Sequence, residues 1–314
     1  MAEIVRSVRE IQSRDIVIAF MGPTGSGKSF FIDLLTGNPG QRAGHSLKSV
    51  TADIQATRVR HEKYGDNIVL VDTPGFDDTL RSDMEILTMI SDWLEKTYKN
   101  DVKLSGLVYL HRISDNRMAG TPHKNLRMFG KLSGDTAMNH VILVSTMWSK
   151  VRQQVGEERE GELREQFWKP LITKGSRIDR LNPANRTEAW RIIDQLIKER
   201  EKRDAVLLQE EIVDLRRQLN ETEAGKALYT SLQKLLASQK EALGTMLTEI
   251  NNLKDPKLKK ELEKEYKKTE AQFQKTFEDM RTMKIPLGKT ILMFFFGKRT
   301  RAKAIKIAPV PGEK

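Results

Sequence analysis

The chain has 314 residues, a length that predicts one sizeable domain and an extension. It contains no cysteine, which excludes disulfides and thiolate metal sites from this sequence. Of the net charge of +11, most lies in residues 281–314, which hold nine Lys/Arg and one acid, whereas residues 1–280 carry 45 Lys/Arg against 42 Asp/Glu. A basic tail on a nearly neutral body argues against a DNA-binding domain.

In chain order, the residues divide into four predicted regions. Residues 1–14 are polar and predict an N-terminal arm, either a short lead-in helix or a disordered segment. Residues 15–200 alternate strand and helix patterns and predict an α/β domain of three layers with a mostly parallel sheet. Residues 201–284 predict a helical extension and residues 285–314 an apolar and basic tail. No apolar stretch approaches the ~20 residues of a membrane span, so we expect a cytoplasmic protein, soluble or peripheral on a membrane.

The first motif is the phosphate-binding loop of P-loop proteins. Residues 22–29 read GPTGSGKS and fit G-x-x-x-x-G-K-[ST], between an apolar strand pattern at 16–21 and a helix pattern at 30–35. Lys28 is the candidate catalytic cation for the β- and γ-phosphates, and the Ser29 hydroxyl is a candidate Mg²⁺ ligand. The candidate nucleotide contacts of this region are Gly22, Pro23, Thr24, Gly25, Ser26, Gly27, Lys28, Ser29 and Phe30.

A second motif, Asp-Thr-Pro-Gly, follows a predicted edge strand at 53–60, a hairpin turn and a buried strand at 68–71. Asp72 is a candidate Mg²⁺ ligand through the ion's water shell, and the Gly75 N–H is a candidate γ-phosphate contact. A D-x-P-G sequence after a hairpin strand is the GTPase arrangement, so the pair of motifs predicts a P-loop GTPase.

Between these motifs, Thr51 is the candidate switch threonine. It precedes the predicted edge strand, and it is a candidate Mg²⁺ ligand and catalytic residue, with its backbone N–H on the γ-phosphate. Ser49 is the alternative candidate. A solvent-facing threonine at the start of a strand is the other interpretation.

The remaining elements of the domain follow from apolar periodicity. His111 and Arg112 follow the predicted strand at 106–110, at the end where ligands bind in open α/β sheets. Three roles stay open for them: packing, a subunit contact or a nucleotide contact. The predicted helices span 80–99, 125–132 and 157–173 with a last one from Thr187, and the predicted strands span 106–110, 141–144 and 176–181.

With these motifs, residues 15–200 resemble the septin-like branch of P-loop GTPases, particularly the GTPases of immunity-associated proteins, the chloroplast-envelope Toc GTPases and fungal G-domain proteins. The resemblance rests on GPTGSGKS, HSLKSVT at 45–51, DTPGFDD at 72–78, YLHRISDNRMAG at 109–120 and STMWSK at 145–150. It implies binding of GTP or GDP with Mg²⁺, slow hydrolysis and a nucleotide-dependent homodimer.

Two positions depart from the usual GTPase pattern. Phe76 follows Gly75, where a Ras-type enzyme places the glutamine that orients water, which predicts slow turnover by the monomer. The base-reading motif [NT]-K-x-D aligns with residues 146–149, TMWS, so a serine replaces the aspartate. Thr146 and Trp148 are the candidate base-side contacts, and guanine specificity is implied by the resemblance alone.

The extension carries apolar residues at coiled-coil-like spacing, with a break at residues 254–256. It predicts either an intermolecular coiled coil or a helical hairpin. In the tail, an apolar cluster at residues 286–296 is followed by a basic run at 297–303. This pattern predicts either peripheral contact of residues 286–306 with an anionic membrane or an apolar plug with a solvated basic end. No specific nucleic acid is expected as a partner.

The sequence therefore predicts a GTP-binding switch with slow hydrolysis that dimerisation assists, whose C-terminal helices recruit a partner or a membrane. Two alternatives stay open. One is an ATP-using P-loop NTPase, because the base-reading aspartate is missing. The other is a scaffold that a nucleotide stabilises and that never hydrolyses it.

Overall fold

The computed structural model describes residues 2–38, 53–76, 81–116, 121–198, 209–214, 219–253 and 255–282. The strands are β1 (Ala2–Val5), β2 (Ile16–Met21), β3 (Gln55–His61), β4 (Gly65–Asp72), β5 (Gly106–Arg112), β6 (Val141–Thr146) and β7 (Arg177–Arg180). The helices are α1 (Lys28–Thr36), α2 (Asp83–Lys99), α3 (Thr121–Ser133), α4 (Gln153–Glu162), α5 (Lys169–Thr173), α6 (Arg186–Ile197), α7 (Glu223–Asn252) and α8 (Pro256–Thr282).

The seven strands form one mixed sheet in the order β1-β3-β4-β2-β5-β6-β7. β1, β3 and β4 pair antiparallel in turn, whereas β4, β2, β5, β6 and β7 are parallel neighbours. The carboxyl ends of the parallel strands therefore meet at one edge, where ligands bind in open α/β sheets. The predicted fold class, a P-loop NTPase domain with a mostly parallel sheet followed by helices, is confirmed.

Helices cover both faces of the sheet, which explains why β2 is buried along its whole length. Val108 and Leu110 of β5 belong to the same core cluster as the apolar residues of α1 and α6. Tyr109 lies between them in sequence and points to the opposite face, where its ring centroid is 4.8 Å from that of Phe129 on α3.

The edge of the sheet differs from the prediction, because β1 replaces the lead-in helix or disordered arm at residues 2–5. β1 pairs with the outer side of β3, with Ile4 opposite Thr57, so β3 is an inner strand. The Arg58 guanidinium holds the connection to β2, since its two terminal nitrogens lie 2.8 and 2.7 Å from the carboxylate oxygens of the buried Asp15.

The helix predicted at 157–173 is two helices. α4 ends at Glu162, a π-helical turn spans Leu163–Phe167, and α5 begins at Lys169. Pro170 lies in the first turn of α5, where a missing backbone N–H is tolerated, and the interior of one long helix would not tolerate it.

The chain divides into two compact units, Met1–Gly225 and Lys226–Lys314. The second unit contains most of α7 and all of α8, and Pro256 begins α8 where the sequence predicts a break. No helix in the described part of the chain is long and apolar enough to cross a membrane. The predicted tail from residue 285 onward lies outside the described residues, and whether α7 and α8 form a hairpin or a coiled coil stays a prediction.

Candidate nucleotide-binding site

The glycines of the phosphate-binding loop hold backbone conformations that other residues avoid. Gly22, Gly25 and Gly27 have φ angles of 139°, 77° and 95° between the end of β2 and the start of α1. A Cβ on Gly22 would also collide with the carbonyl oxygen of Leu110 in β5. The loop thus leads into the N-terminus of α1, where backbone N–H groups favour an anion.

Lys28, the first residue of α1, is turned back over the loop. Its Nζ donates hydrogen bonds of 3.1 Å to the carbonyl oxygens of Gly22 and Pro23, and the residue is only 5% exposed. The ammonium group is therefore held at the start of the loop, on the side away from the body of its own helix.

Ser29 and Asp72 form the pair that suits a divalent cation. The Ser29 hydroxyl donates to a carboxylate oxygen of Asp72 at 2.7 Å, because β2 and β4 are adjacent parallel strands that end together. Both side chains offer oxygen ligands, as Mg²⁺ prefers, and this ion usually takes one or two protein ligands besides phosphate and water. Among the described residues no group of three or more acidic or histidine side chains would hold a metal by itself. The pair therefore fits a Mg²⁺ ion bound together with a phosphate chain, and Thr51, the third predicted ligand, lies outside the described residues.

The loop at residues 73–76 is tied directly to the phosphate-binding loop. The Thr24 N–H donates to the carbonyl of Phe76 at 3.1 Å, and the Thr24 hydroxyl donates to the carbonyl of Gly75 at 3.3 Å. A Cβ built on Gly75 would lie 2.5 Å from both the nitrogen and the hydroxyl oxygen of Thr24. Only a glycine allows this approach. The 73–76 segment and the phosphate-binding loop are therefore in direct contact.

On the other side of the loop lies the end of β6. The Thr146 hydroxyl donates to the carbonyl of Ser26 at 2.8 Å, which joins the predicted base-side segment to the phosphate-binding loop. Met147 has a φ of 61°, and its Cε would lie 3.8 Å from a Cβ on Gly27. Thr146 therefore lies beside the phosphate-binding loop, and its contact with a base stays a prediction.

Trp148 is placed differently from a residue that covers a base. The residue is 7% exposed and its indole N–H donates to the hydroxyl of Ser145 at 3.0 Å. The Arg180 guanidinium lies 4.5 Å from the ring centroid. In this conformation the indole is part of the protein interior, and Ser149, at the aspartate position of the motif, is exposed.

Behind Trp148 is a buried polar network that the sequence analysis did not identify. Glu160 is 2% exposed and accepts hydrogen bonds from the Ser145 hydroxyl at 2.8 Å and from Arg180 Nε at 2.6 Å. The hydrogen bond to Glu160 raises the pKa of the Arg180 guanidinium. These residues come from β6, α4 and β7, so no local spacing marks them as neighbours.

His111, at the end of β5, is 3% exposed, and its Nδ1 has no hydrogen-bond partner among the described residues. Burial lowers its pKa to about 4; the nearby Arg112 acts in the same direction, and Asp115 opposes both. The imidazole is therefore neutral at neutral pH and packs edge-on against Trp168, with ring centroids 6.4 Å apart.

We expect this histidine to make the protein less stable in mild acid. In the unfolded chain the imidazole takes up a proton near pH 6.5, whereas in the folded protein it does so only near pH 4. Stability should therefore fall as the pH drops from about 6.5 towards 4, by on the order of 2 kcal/mol at pH 5. Urea unfolding at pH 7 and pH 5 measures the loss, which should be smaller in His111→Gln than in the exposed control His123→Gln. Equal losses of stability in the two variants would show that His111 does not cause the effect.

Comparison with known proteins agrees with this geometry. Residues 17–143, about two fifths of the chain, match the model of a family described as 50S ribosome-binding GTPase. No curated protein sequence matches the chain. The fold, the loop and the Ser29–Asp72 pair define a P-loop NTPase domain, and the family match supports a P-loop GTPase domain in this part of the chain.

The chain also matches several solved structures at low sequence identity. Toc33 from Arabidopsis thaliana with Mg²⁺ and GMPPNP is 15% identical, with a TM-score of 0.45 over 61% of this chain and 88% of that chain. Bacterial selenocysteine-specific elongation factor EF-Sec is 19% identical, with a TM-score of 0.42 over 60% of this chain and 29% of that chain. Era of Aquifex aeolicus bound to GDP·AlF4⁻ is 13% identical, with a TM-score of 0.41 over 58% and 56%.

Proposed function

We propose that this protein is a GTP-binding molecular switch with low GTPase activity. The observation that carries the proposal is the arrangement of the two loops. Ser29 and Asp72 lie together at the cation position, and Gly75 touches Thr24 of the phosphate-binding loop. A γ-phosphate bound there would meet both loops, so its loss on hydrolysis would change the contacts of the 73–76 segment.

In this mechanism the chain's own residues bind and orient the phosphates. Lys28 and the N–H groups at the start of α1 would attract the phosphate charge, and the Ser29 hydroxyl and the Asp72 carboxylate would hold Mg²⁺. When bound, Mg²⁺ neutralises the charge on the phosphate oxygens. We propose Thr51 as the additional Mg²⁺ ligand and γ-phosphate contact.

Slow hydrolysis is supported by the position of Phe76. This side chain is 1% exposed and apolar, so it neither reaches solvent nor orients an attacking water.

We propose that a second copy of the chain assists turnover. We also propose that the C-terminal helices recruit a partner and that residues 286–306 contact a membrane from the cytoplasm.

The experiment that tests the function is Mg²⁺-dependent binding of labelled GTP to the purified protein, with ATP as competitor, followed by turnover at increasing protein concentration. Preference for GTP and a turnover per molecule that rises with concentration are the expected results. Equal competition by ATP would favour an ATP-using NTPase, the alternative that the exposed Ser149 supports. Tight binding without turnover at any concentration would favour a nucleotide-stabilised scaffold.

Asp72 should also set the Mg²⁺ concentration that GTP binding requires. Asp72→Asn removes the charge beside Ser29, so we expect the Mg²⁺ concentration that half-saturates GTP binding to rise by about tenfold or more. A Mg²⁺ titration of GTP affinity measures the change. The control is Asp92→Asn, which alters an exposed carboxylate on α2. An unchanged Mg²⁺ requirement in Asp72→Asn would remove Asp72 from the metal site.

A further inference from the structure

The base-side segment of this site lacks a positive charge that the usual GTPase motif provides. In [NT]-K-x-D the second residue is a lysine, and Met147 occupies that position here. The Met147 side chain lies along the phosphate-binding loop, with Cε 3.8 Å from the position of a Cβ on Gly27. A lysine at residue 147 would therefore bring its charge next to the loop, and the thioether brings none.

A different residue places a cation close to the same loop. Arg112 ends β5, the strand adjacent to β2, and is paired in register with Thr146 of β6. Its Nη1 lies 3.1 Å, and its Cζ 3.9 Å, from the position of a Cβ on Gly25. The Arg112 guanidinium thus lies beside the middle of the phosphate-binding loop, and its side chain is 37% exposed.

The orientation of this guanidinium is set by one neighbour. Arg112 Nε lies 3.0 and 3.2 Å from the two carboxylate oxygens of Asp115, three residues further along the chain. Among the described residues neither terminal nitrogen of Arg112 has a hydrogen-bond partner. Asp115 therefore fixes the side chain through Nε, and the terminal N–H groups remain available to an anion at the loop.

Two cations consequently flank the phosphate-binding loop. The Lys28 ammonium is held at the start of the loop, on the carbonyls of Gly22 and Pro23, whereas Arg112 lies at Gly25. We propose that Arg112 binds the phosphate chain of the nucleotide in the same subunit and supplies the positive charge that Met147 does not. This inference rests on the proposed nucleotide-binding function and adds a binding residue to that site.

The contact is with phosphate and not with the base, so it should strengthen the binding of any nucleoside diphosphate or triphosphate. A guanidinium bound to phosphate oxygens makes charge-assisted hydrogen bonds, which are stronger than neutral ones and weaken as salt is added. Arg112 should therefore increase affinity and its dependence on salt, without selecting guanine over adenine.

The first test is the affinity of Arg112→Ala for GDP and GTP, with ADP as a probe of base selectivity. We expect the Kd for GDP and GTP to rise by about tenfold or more, the effect of one hydrogen bond to a charged group. The ratio of GDP to ADP affinity should not change, and the affinity should vary less with salt concentration. The control is Arg127→Ala, which removes an exposed arginine on α3.

The second test is rescue by a cation at residue 147. In the Arg112→Ala background, Met147→Lys should restore most of the lost GDP affinity and its salt dependence, whereas Met147→Leu should restore neither. Thermal unfolding of each variant without nucleotide shows whether the fold is retained.

Two results would overturn the proposal. The first is a GDP affinity of Arg112→Ala within a factor of two of the parent. The second is a GDP affinity that, in the Arg112→Ala background, is as low with Met147→Lys as with Met147→Leu. Either result would leave the proposed function standing if Lys28→Ala abolishes binding. If the parent protein binds no nucleotide, the proposed function and the role of Arg112 are both wrong.

Discussion

Replacing Lys28 by alanine is expected to abolish binding of Mg²⁺-nucleotide. The ammonium group is almost fully buried over the loop, and its hydrogen bonds to phosphate oxygens would be charge-assisted. Each such bond contributes on the order of 1.5–3 kcal/mol, so the Kd for GTP should rise by at least about a hundredfold. Titration with a fluorescent GTP analogue at saturating Mg²⁺ measures the change.

Two controls separate this effect from a general loss of structure. Lys169→Ala removes an exposed lysine at the start of α5 and should bind GTP as the parent does. Thermal unfolding of Lys28→Ala without nucleotide shows whether loss of the bonds to Gly22 and Pro23 has unfolded the domain. Parent-like GTP affinity in a folded Lys28→Ala protein would reject the site assignment.

The second large effect is expected from Gly75→Ala. A methyl group at this position would lie 2.5 Å from the nitrogen and the hydroxyl oxygen of Thr24, so the 73–76 segment must move away from the phosphate-binding loop. Since this contact lies where a γ-phosphate would meet both loops, GTP affinity should fall by about fivefold or more, the effect of a steric cost of about 1–3 kcal/mol. GDP affinity should change much less. Parallel titrations with GDP and a non-hydrolysable GTP analogue measure the difference.

The matched control is Gly161→Ala, another glycine-to-alanine change, at a helical position where the added methyl group meets nothing within 4 Å. It should leave both affinities unchanged. If Gly75→Ala weakens GDP as much as GTP, the segment supports the whole loop and does not sense the γ-phosphate.

Much of the site could be predicted from the sequence because its parts are local. The phosphate-binding loop requires glycines at positive φ, a lysine and a serine within eight residues, and an apolar strand and a helix flank it. Asp72 could be predicted as its partner because it directly follows an apolar strand, and parallel strands end at the same edge. The structure indeed brings Ser29 and Asp72 together.

Other features depend on which segments become neighbours, and local patterns do not contain that information. Residues 2–5 are too short for a distinct strand pattern and form β1 because the outer side of β3 offers unpaired backbone groups. Similarly, the burial of Trp148 follows from Arg180 of β7 and from Glu160 of α4, through Ser145. The indole of Trp148, a candidate base-side contact in the sequence, thereby packs into the interior.

The amino-acid sequence is enough to predict the class of this domain, the order of its main elements and the phosphate-binding loop, since each rests on spacings within a few residues. The contact of Gly75 with Thr24 and the position of Arg112 beside Gly25 come from the fold. Both arise from the order of strands in the sheet. It places β4 and β5 on either side of β2, and so brings the ends of two strands that are distant in sequence onto one loop.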